Sequence, residues 1–187
     1  MIPKKDKHRH CGYCGTAYEA ESWPRVCGCG ETTWRNPTPV AVLIVPVRSG
    51  GVLLIRRNND QRETLPTRST GGAGSGEHRL SIRPAGRLAL PGGFIDFGET
   101  WQAAAAREAH EEAGITIEVE TIRHLRTVSP PDGSVVLIFG AAAPIDGIGD
   151  DWVANAEVTE RLVVDKAVEL AFPTHTDVLR AWFAGER

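Results

Sequence analysis

A short segment between residues 99 and 112 carries more carboxylates than a stable isolated helix tolerates. Glu108, Glu111 and Glu112 are three and four residues apart, so they share one face of a predicted helix, and Glu99 lies just before it. Each like-charged pair at this spacing costs an isolated helix roughly 0.2–0.5 kcal/mol. Hard divalent cations prefer carboxylate oxygens and keep water molecules for substrate phosphates. The pattern therefore predicts a site for Mg²⁺ or Mn²⁺.

The simplest alternative is a solvated, charged helix face on which Arg107 serves as an intrahelical ion-pair partner. That interpretation does not explain the Gly92-Gly93 bend before the helix. It also does not explain why a single arginine stands among five acidic residues between Asp96 and Glu112. A divalent cation site accounts for both observations.

The spacing of the glycines, the arginine and the acidic residues resembles the Nudix box of the Nudix hydrolase superfamily. The matching residues are Gly93, Glu99, Arg107, Glu108, Glu111, Glu112, Gly114 and Ile115. Five positions separate Gly93 from Glu99, and seven separate Glu99 from Arg107. Only Ala109 departs from the pattern, since a larger aliphatic residue is usual there, and this change concerns packing rather than chemistry. The segments RNPTPVAVLIVPV, LLIRR, LALPGGF and LAFPTH are also similar to the family, so the resemblance extends over residues 34 to 183.

The resemblance implies an α/β fold, namely the Nudix α/β/α sandwich with a mixed sheet. It also implies hydrolysis of a diphosphate bond in a nucleoside diphosphate linked to another moiety, and an ADP-ribose-like compound is our first choice of substrate. By the same resemblance, Glu108, Glu111 and Glu112 bind the Mg²⁺ or Mn²⁺ ion, and the carbonyl group of Gly93 adds a ligand. The expected partner is thus a small molecule, with a homodimer kept as an alternative to a monomer.

Further roles follow from the resemblance. Glu108 and Glu99 take part in catalysis, and Arg107 holds the glutamates through charge-assisted hydrogen bonds. The general base in this family often comes from a loop outside the box. The candidates here, whose order the sequence does not decide firmly, are Glu157, then Glu160, then Asp151.

Four cysteines near the N-terminus form a second group with the spacing of metal ligands. They are Cys11, Cys14, Cys27 and Cys29. Two close pairs of thiolates suit a closed tetrahedral Zn²⁺ site, which is normally structural because no position is left open for water. The alternatives are His8 or His10 in place of one cysteine, or four free thiols.

The cysteine unit resembles the zinc ribbon that precedes the Nudix domain in NADH pyrophosphatases and related enzymes. Those pyrophosphatases carry a Ser-Gln-Pro-Trp motif after the box, whereas TVSPPDGSVV stands there in this chain, which argues against NADH as the substrate. The basic stretch KKDKHRH is interpreted as a solvated terminus rather than a nucleic-acid arm. The alternative function is a nucleotide-sensing or nucleic-acid-binding regulatory protein that uses the zinc ribbon.

Length and composition predict one main domain with a small accessory unit. The chain has 187 residues, of which 41% are hydrophobic, and its net charge of −3 does not indicate a nucleic acid or a membrane as partner. No apolar run approaches the roughly 20 residues needed to cross a bilayer. Clustered cysteines and a basic N-terminus without an apolar stretch lead us to expect a cytoplasmic protein. The predicted boundaries are 1–34 for the zinc-ribbon-like unit and 35–187 for the Nudix domain.

Periodicity and turn signals predict the elements that must position these residues. A hairpin is expected from two apolar runs, and a helix from the cap at Thr100 to the stop at Gly114. A second helix is expected with Thr174 as its cap. The two strands of the hairpin are predicted at 38–47 and 51–57, and the second helix at 173–183. Further extended segments are predicted at 87–90, 115–128, 134–143 and 157–164.

Residues 58–86 show little periodicity and contain the tract STGGAGSG, so they are predicted to be a flexible insertion. From Arg56 to Arg87 the chain has seven arginines and three acidic residues. A surface loop is the favoured interpretation, and a cover for an anionic substrate is the alternative. Because both ends of the insertion are expected near the metal site, the candidate substrate-binding residues are Arg56, Arg83 and Arg87.

Overall fold

The computed structural model describes residues 9–19, 22–58 and 86–186. The chain divides into two compact units, Met1–Pro37 and Thr38–Arg187. The predicted flexible insertion falls almost wholly outside the described residues, as do Arg83 and His8.

The first unit is built from two turns and a small antiparallel pair of strands. Strand β1 (Arg25–Val26) pairs with β2 (Thr32–Thr33). The turn between them is closed by the N–H of Cys27, which donates to the carbonyl of Glu31 over 2.8 Å. A second turn is closed in the same way, with the N–H of Cys11 donating to the carbonyl of Thr16 over 2.8 Å. Each turn thus carries one of the two cysteine pairs.

Within residues 38–58 and 86–186, the second unit contains two sheets and two main helices. Its strands are β3 (Thr38–Ile44), β4 (Val52–Arg57), β5 (Leu88–Ala89), β6 (Gly92–Phe94), β7 (Arg123–Val128), β8 (Val135–Ala141) and β9 (Val158–Val164), and its helices are α1 (Trp101–Ala113) and α2 (Pro173–Phe183). The first sheet has the order β6-β3-β8-β7, with β3 and β8 parallel and the other neighbours antiparallel. The second is antiparallel in the order β5-β4-β9.

The apolar runs of β3 and β4 are buried on both faces, which explains why they do not alternate with polar residues. Successive side chains of a strand point to opposite faces, so each strand serves two cores. The residues packed on the α1 side include Ala41, Leu43, Leu53 and Ile55. Those packed on the α2 side include Val42, Ile44, Val52 and Leu54. Helices therefore cover both sides of the central strands, and the predicted α/β/α sandwich is confirmed.

Helix α1 is positioned by a close apolar contact and by its two ends. Its buried apolar residues are all alanines, and Ala109 is fully buried, so the small residue at the one unusual position of the box lets the helix approach the strands. The hydroxyl of Thr100 accepts a hydrogen bond from the N–H of Ala103, and Gly114 ends the helix with φ of 65°. Both predicted ends are confirmed.

The predicted hairpin is correct in its turn and wrong in its pairing. The N–H of Val47 donates to the carbonyl of Gly51 over 3.1 Å, and Pro46 and Val52 form an antiparallel bridge. Beyond that bridge the two strands separate, because β3 pairs with β6 and β8 while β4 pairs with β5 and β9. Local turn signals predict the reversal of the chain but not these distant partners.

Three further predictions need correction. Helix α2 begins after Phe172 with Pro173 in its first turn, rather than at a Thr174 cap, because proline fits the first turn without an N–H donor. Strand β7 begins only at Arg123, since a short 3₁₀ helix (Val119–Thr121) interrupts the alternation seen from residue 115. Gly92 and Gly93, expected with Pro91 as a bend, lie in strand β6, which pairs with β3.

None of the helices in the described ranges combines the length and apolar character that crossing a bilayer requires.

The cap of α1 gives a direct stability test. Thr100→Ala removes the side-chain acceptor for the N–H of Ala103, so we expect the free energy of unfolding to fall by about 1 kcal/mol. Thr100→Ser is the matched control, because serine keeps the acceptor and should stay within about 0.5 kcal/mol of the parent. Urea unfolding of the three proteins measures both values. Equal stability of the alanine and parent proteins would contradict the role of the cap.

Candidate functional site

Arg107 is the centre of the acidic site. Its Nε donates to Glu99 Oε1 over 3.0 Å, and its Nη2 donates to Glu99 Oε2 over 3.1 Å. Its Nη1 donates to Glu108 Oε1 over 2.8 Å and to Glu111 Oε2 over 3.0 Å. Nη2 also donates to the carbonyl of Phe94 over 2.9 Å. One guanidinium therefore ties three carboxylates of the predicted site to the end of β6.

The charges around Arg107 stabilise one another. The hydrogen bond from Arg107 lowers the pKa of Glu99, against the opposing effect of burial. Hydrogen bonds with Glu99 and then Glu108 raise the pKa of Arg107 above its ordinary value, although burial opposes this. Arg107 therefore keeps its positive charge at neutral pH, and its hydrogen bonds fix the orientation of its guanidinium. This arrangement fits the role predicted for Arg107.

Glu112 is the most buried carboxylate of the helix, with 3% of its surface exposed. Its Oε2 accepts a hydrogen bond from the N–H of Gly92 over 2.9 Å, and Nη1 of Arg57 lies 4.0 Å from its Oε1. Burial raises the pKa of Glu112 to about 8, and the Gly92 N–H only partly opposes this. Burial also raises the pKa of Glu108, with Arg107 opposing.

These two carboxylates therefore lack sufficient positive charge in their surroundings. A cation would stabilise their ionised forms, so the donor set fits a hard divalent ion. Among the described residues, however, the glutamates do not form a group of three ligand atoms as close together as the cysteines do. The hydrogen bonds of Arg107 to Glu108 and Glu111, and of Gly92 to Glu112, hold these carboxylates in their present positions.

The two glycines beside the helix are required by close contacts. A Cβ atom at Gly92, where φ is 156°, would overlap the carbonyl of Ala41. A Cβ atom at Gly93 would overlap the carboxylate of Glu108. The missing side chain at Gly93 therefore creates the space in which the Glu108 carboxylate lies. The Gly93 carbonyl stays a predicted metal ligand.

The three candidate bases lie in different surroundings. Glu157 directly precedes β9. Its charge raises the pKa of both Glu108 and Glu112, so it acts on the helix carboxylates. Glu160 instead forms an ion pair with Arg56. Asp151 lies near Arg161 instead: burial lowers the pKa of Arg161, and the charge of Asp151 opposes this. Of the three, Glu157 is the one grouped with the acidic helix.

The arginines near the insertion also differ in their surroundings. Arg56 bonds to Glu160 and also donates to the carbonyl of Gly86 over 3.0 Å. Arg87 is exposed just before β5. Arg57, which sequence reasoning passed over, faces Glu112 and lies 5.8 Å from the ring centre of Phe172. The ladder between β4 and β9 shifts register between Arg56 and Arg57, and only the structure reveals which arginine faces the site.

Two other residues near the site were missed because their partners are backbone carbonyls far away in sequence. Asn155 Nδ2 donates to the carbonyl of Glu111 over 2.8 Å. Arg161 Nη1 donates to the carbonyl of Ala113 over 2.6 Å, and its Nη2 donates to that of Gly149 over 2.9 Å. Neither contact has a signal in residue spacing. Together they attach the loop before β9 to the last turn of α1.

In the first unit the four cysteines are close enough to share one metal ion. The Sγ atoms of Cys11 and Cys29 are 3.8 Å apart, and those of Cys14 and Cys27 are 3.5 Å apart. All four sulfur atoms lie within 4.8 Å of one another. Each close contact joins one cysteine from each turn, so the sulfurs converge as the ligands of a tetrahedral site do.

Part of this chain is similar in sequence to known proteins. The protein named NAD-capped RNA hydrolase NudC from Edwardsiella ictaluri is 29% identical to this chain over 121 residues, which is 63% of the chain. The protein of the same name from Escherichia coli O157:H7 is 29% identical over 125 residues, which is 65% of the chain. The chain spans 37% of the length of each of these curated relatives.

Solved structures show the same fold. A NUDIX hydrolase from Nitrosomonas europaea superposes with a TM-score of 0.68 at 23% identity, covering 94% of this chain and 90% of the other. The MutT protein from Methanosarcina mazei Go1 gives a TM-score of 0.55 at 22% identity, with coverages of 81% and 96%. Residues 37–160, well over half of the chain, match the model of the NUDIX domain. The chain therefore belongs to the Nudix hydrolase family.

Proposed function

We propose that this chain hydrolyses a diphosphate bond in a nucleoside diphosphate linked to another moiety, with ADP-ribose-like compounds as the first substrates to test. The observation that carries the proposal is the acidic group on α1, which Arg107 organises beside Gly92 and Gly93. Two of its carboxylates are buried in surroundings that disfavour their charged forms. A protein gains little from such an arrangement unless a cation completes it.

The residues that would hold Mg²⁺ or Mn²⁺ are Glu108, Glu111 and Glu112, with the Gly93 carbonyl as a further ligand. When bound, such an ion neutralises phosphate charge and lowers the pKa of a water molecule. The residues of the chain supply the rest. Arg107 keeps the carboxylates in place, and Glu99 supports Arg107 from the turn after β6.

Glu157 is proposed as the general base, because its carboxylate lies outside the box and its charge raises the pKa of both Glu108 and Glu112. Its role is to accept the proton of the attacking water. A carboxylate in this position contributes about 10²–10⁴-fold to the rate in enzymes that use one.

Phosphate binding is assigned to the arginines around the insertion. Arg57 already faces the buried Glu112, and Arg87 is exposed next to β5. Arg56 is engaged by Glu160, so its contribution requires that this ion pair open. Arg83 stays a proposed contact from the sequence alone.

The relatives widen the range of substrates to test. Their name, NAD-capped RNA hydrolase, makes a nicotinamide dinucleotide, free or at the end of an RNA, a second candidate. The missing Ser-Gln-Pro-Trp motif favours other nucleoside diphosphate derivatives. A screen over nucleoside diphosphate sugars, NAD, NADH, capped RNA and nucleoside triphosphates separates these classes. Binding of nucleotide or RNA without hydrolysis of any of them would favour the regulatory alternative.

The cysteine group is proposed to hold one structural Zn²⁺ ion. Four thiolates leave no position for a reacting water, and softer thiolate ligands select zinc over magnesium. Among its described residues, the two-turn unit has two strands of two residues each, so metal binding is expected to supply much of its folding free energy.

The catalytic assignment is tested by removing single charges from the acidic helix. Glu112→Gln and Glu111→Gln should each lower kcat by about 10²-fold or more while leaving the fold unchanged, because the amide cannot replace an anionic ligand. The matched control is Glu169→Gln, which changes an exposed glutamate on the surface. Wild-type turnover in excess EDTA, or in either helix variant, would refute the assignment.

The zinc assignment is tested by metal analysis of protein prepared without added zinc. We expect one zinc per chain, retained during gel filtration, and four thiols that react with a thiol reagent only after the metal is chelated. Cys14→Ser should lose zinc, whereas Ser134→Ala, a substitution in the second unit, should retain it. Freely reactive thiols in the native protein would contradict the assignment.

The role of the proposed substrate-binding arginines is tested by measuring KM and kcat separately. Arg87→Ala and Arg83→Ala should each raise KM several-fold with a smaller change in kcat, because a lost guanidinium weakens phosphate binding by about 1–2 kcal/mol. Arg123→Ala, at an exposed position of β7, is the control. Deletion of residues 70–76 should leave kcat/KM nearly unchanged, and loss of turnover in a folded deletion protein would show that this tract is more than a spacer.

A further inference from the structure

We propose that Asn155 is a positioning residue, which holds the Glu157 backbone in a fixed place relative to the glutamates of α1. This inference rests on the proposed function, since it assigns Asn155 a role in presenting the general base. Asn155 and Glu157 lie outside the Nudix box, which contributes the backbone carbonyl of Glu111 to this link. Both ends of the Asn155 side-chain amide form hydrogen bonds.

The Asn155 side chain uses both its donor and its acceptor. Its Nδ2 donates to the carbonyl of Glu111 over 2.8 Å. Its Oδ1 accepts from the N–H of Glu157 over 2.9 Å and from the N–H of Val158 over 2.8 Å. A carboxylate would lack the donor. Asparagine therefore joins the helix and the base in a way that aspartate cannot.

The helix end explains why the Glu111 carbonyl is available. The last four carbonyls of an α-helix have no partner within the helix. Glu111 lies in the last turn of α1, and its own side chain is one of the proposed metal ligands. The Asn155 amide satisfies this carbonyl, so the loop before β9 is attached to the residue that also carries a ligand.

The Glu157 backbone is held from its other side as well. Its carbonyl accepts a hydrogen bond from the N–H of Asn58 over 2.7 Å, at the end of β4. Glu157 itself is exposed, so burial does little to fix it. Its carboxylate can keep one position only if its backbone does, and Asn155 supplies the link to α1. A displacement of about 1 Å at a reacting group costs on the order of 10²-fold in rate.

The test is a double-mutant cycle between Asn155 and Glu157. Asn155→Ala should lower kcat by about 10-fold or more and change KM less than about 2-fold, because substrate contacts remain. In the Glu157→Gln background the same substitution should lower kcat less than about 2-fold, since the group it positions is already lost. Hydrogen exchange of the Glu157 and Val158 amides should become faster in Asn155→Ala, a readout independent of turnover.

Arg161→Met is the matched control, because it also removes a side-chain bond to the last turn of α1, whereas the Arg161 side chain donates to the carbonyls of Ala113 and Gly149 rather than to Glu157. It should lower the melting temperature while keeping kcat within about 3-fold of wild type. If Asn155→Ala does not fold, Asn155→Ser serves instead. Its short hydroxyl can still accept a hydrogen bond from the N–H of Glu157 but cannot reach the carbonyl of Glu111. The loss of kcat that Asn155→Ser causes should again vanish in the Glu157→Gln background.

The outcomes separate this inference from the proposed function. A wild-type protein that hydrolyses no diphosphate overturns the proposed function, and full activity of Glu157→Gln overturns the choice of base. If wild type is active and Glu157→Gln is impaired, additive effects of the two substitutions overturn the positioning role alone. An equal loss of kcat in Arg161→Met would also overturn it, because the effect would then reflect general loosening of the helix end.

Discussion

The arrangement of the acidic site depends on one guanidinium group. Arg107 reaches the carboxylates of Glu99, Glu108 and Glu111 and the carbonyl of Phe94, so it connects β6, the following turn and α1. A guanidinium has five N–H donors in a fixed plane, and a lysine could not bind so many acceptors in one geometry. Without this cation, several carboxylates would repel one another on a single helix.

Close packing is the second constraint on the site. Fully buried alanines on the inner face of α1 let the helix lie near the strands, and the missing side chain of Gly93 leaves room for the Glu108 carboxylate. The same closeness buries Glu112 against the N–H of Gly92. Burial raises the pKa of both glutamates, which is costly for the chain alone and favourable once a cation is bound. Packing and electrostatics thus support the same assignment.

Sequence patterns predict those structural features that depend on residues close together in the chain. The ends of α1 follow from Thr100 and Gly114, and the α/β/α sandwich follows from the apolar runs and the resemblance. The separation of β3 and β4 into two sheets depends on distant strands, and no local signal reports it. The orientation of Arg57 toward Glu112, and the amide bonds of Asn155, likewise depend on partners far along the chain.

The central claim is that the Arg107-organised glutamates bind a divalent cation. The most direct measurement is the titration of zinc-loaded protein with Mn²⁺, followed by electron paramagnetic resonance of the free ion in the presence of a nonhydrolysable nucleoside diphosphate analogue. We expect at least one Mn²⁺ bound per chain in the parent protein, and binding weakened by about 10-fold or more when Glu108 and Glu112 are both replaced by glutamine. Unchanged Mn²⁺ binding in the double variant, or no binding in the parent, would contradict it.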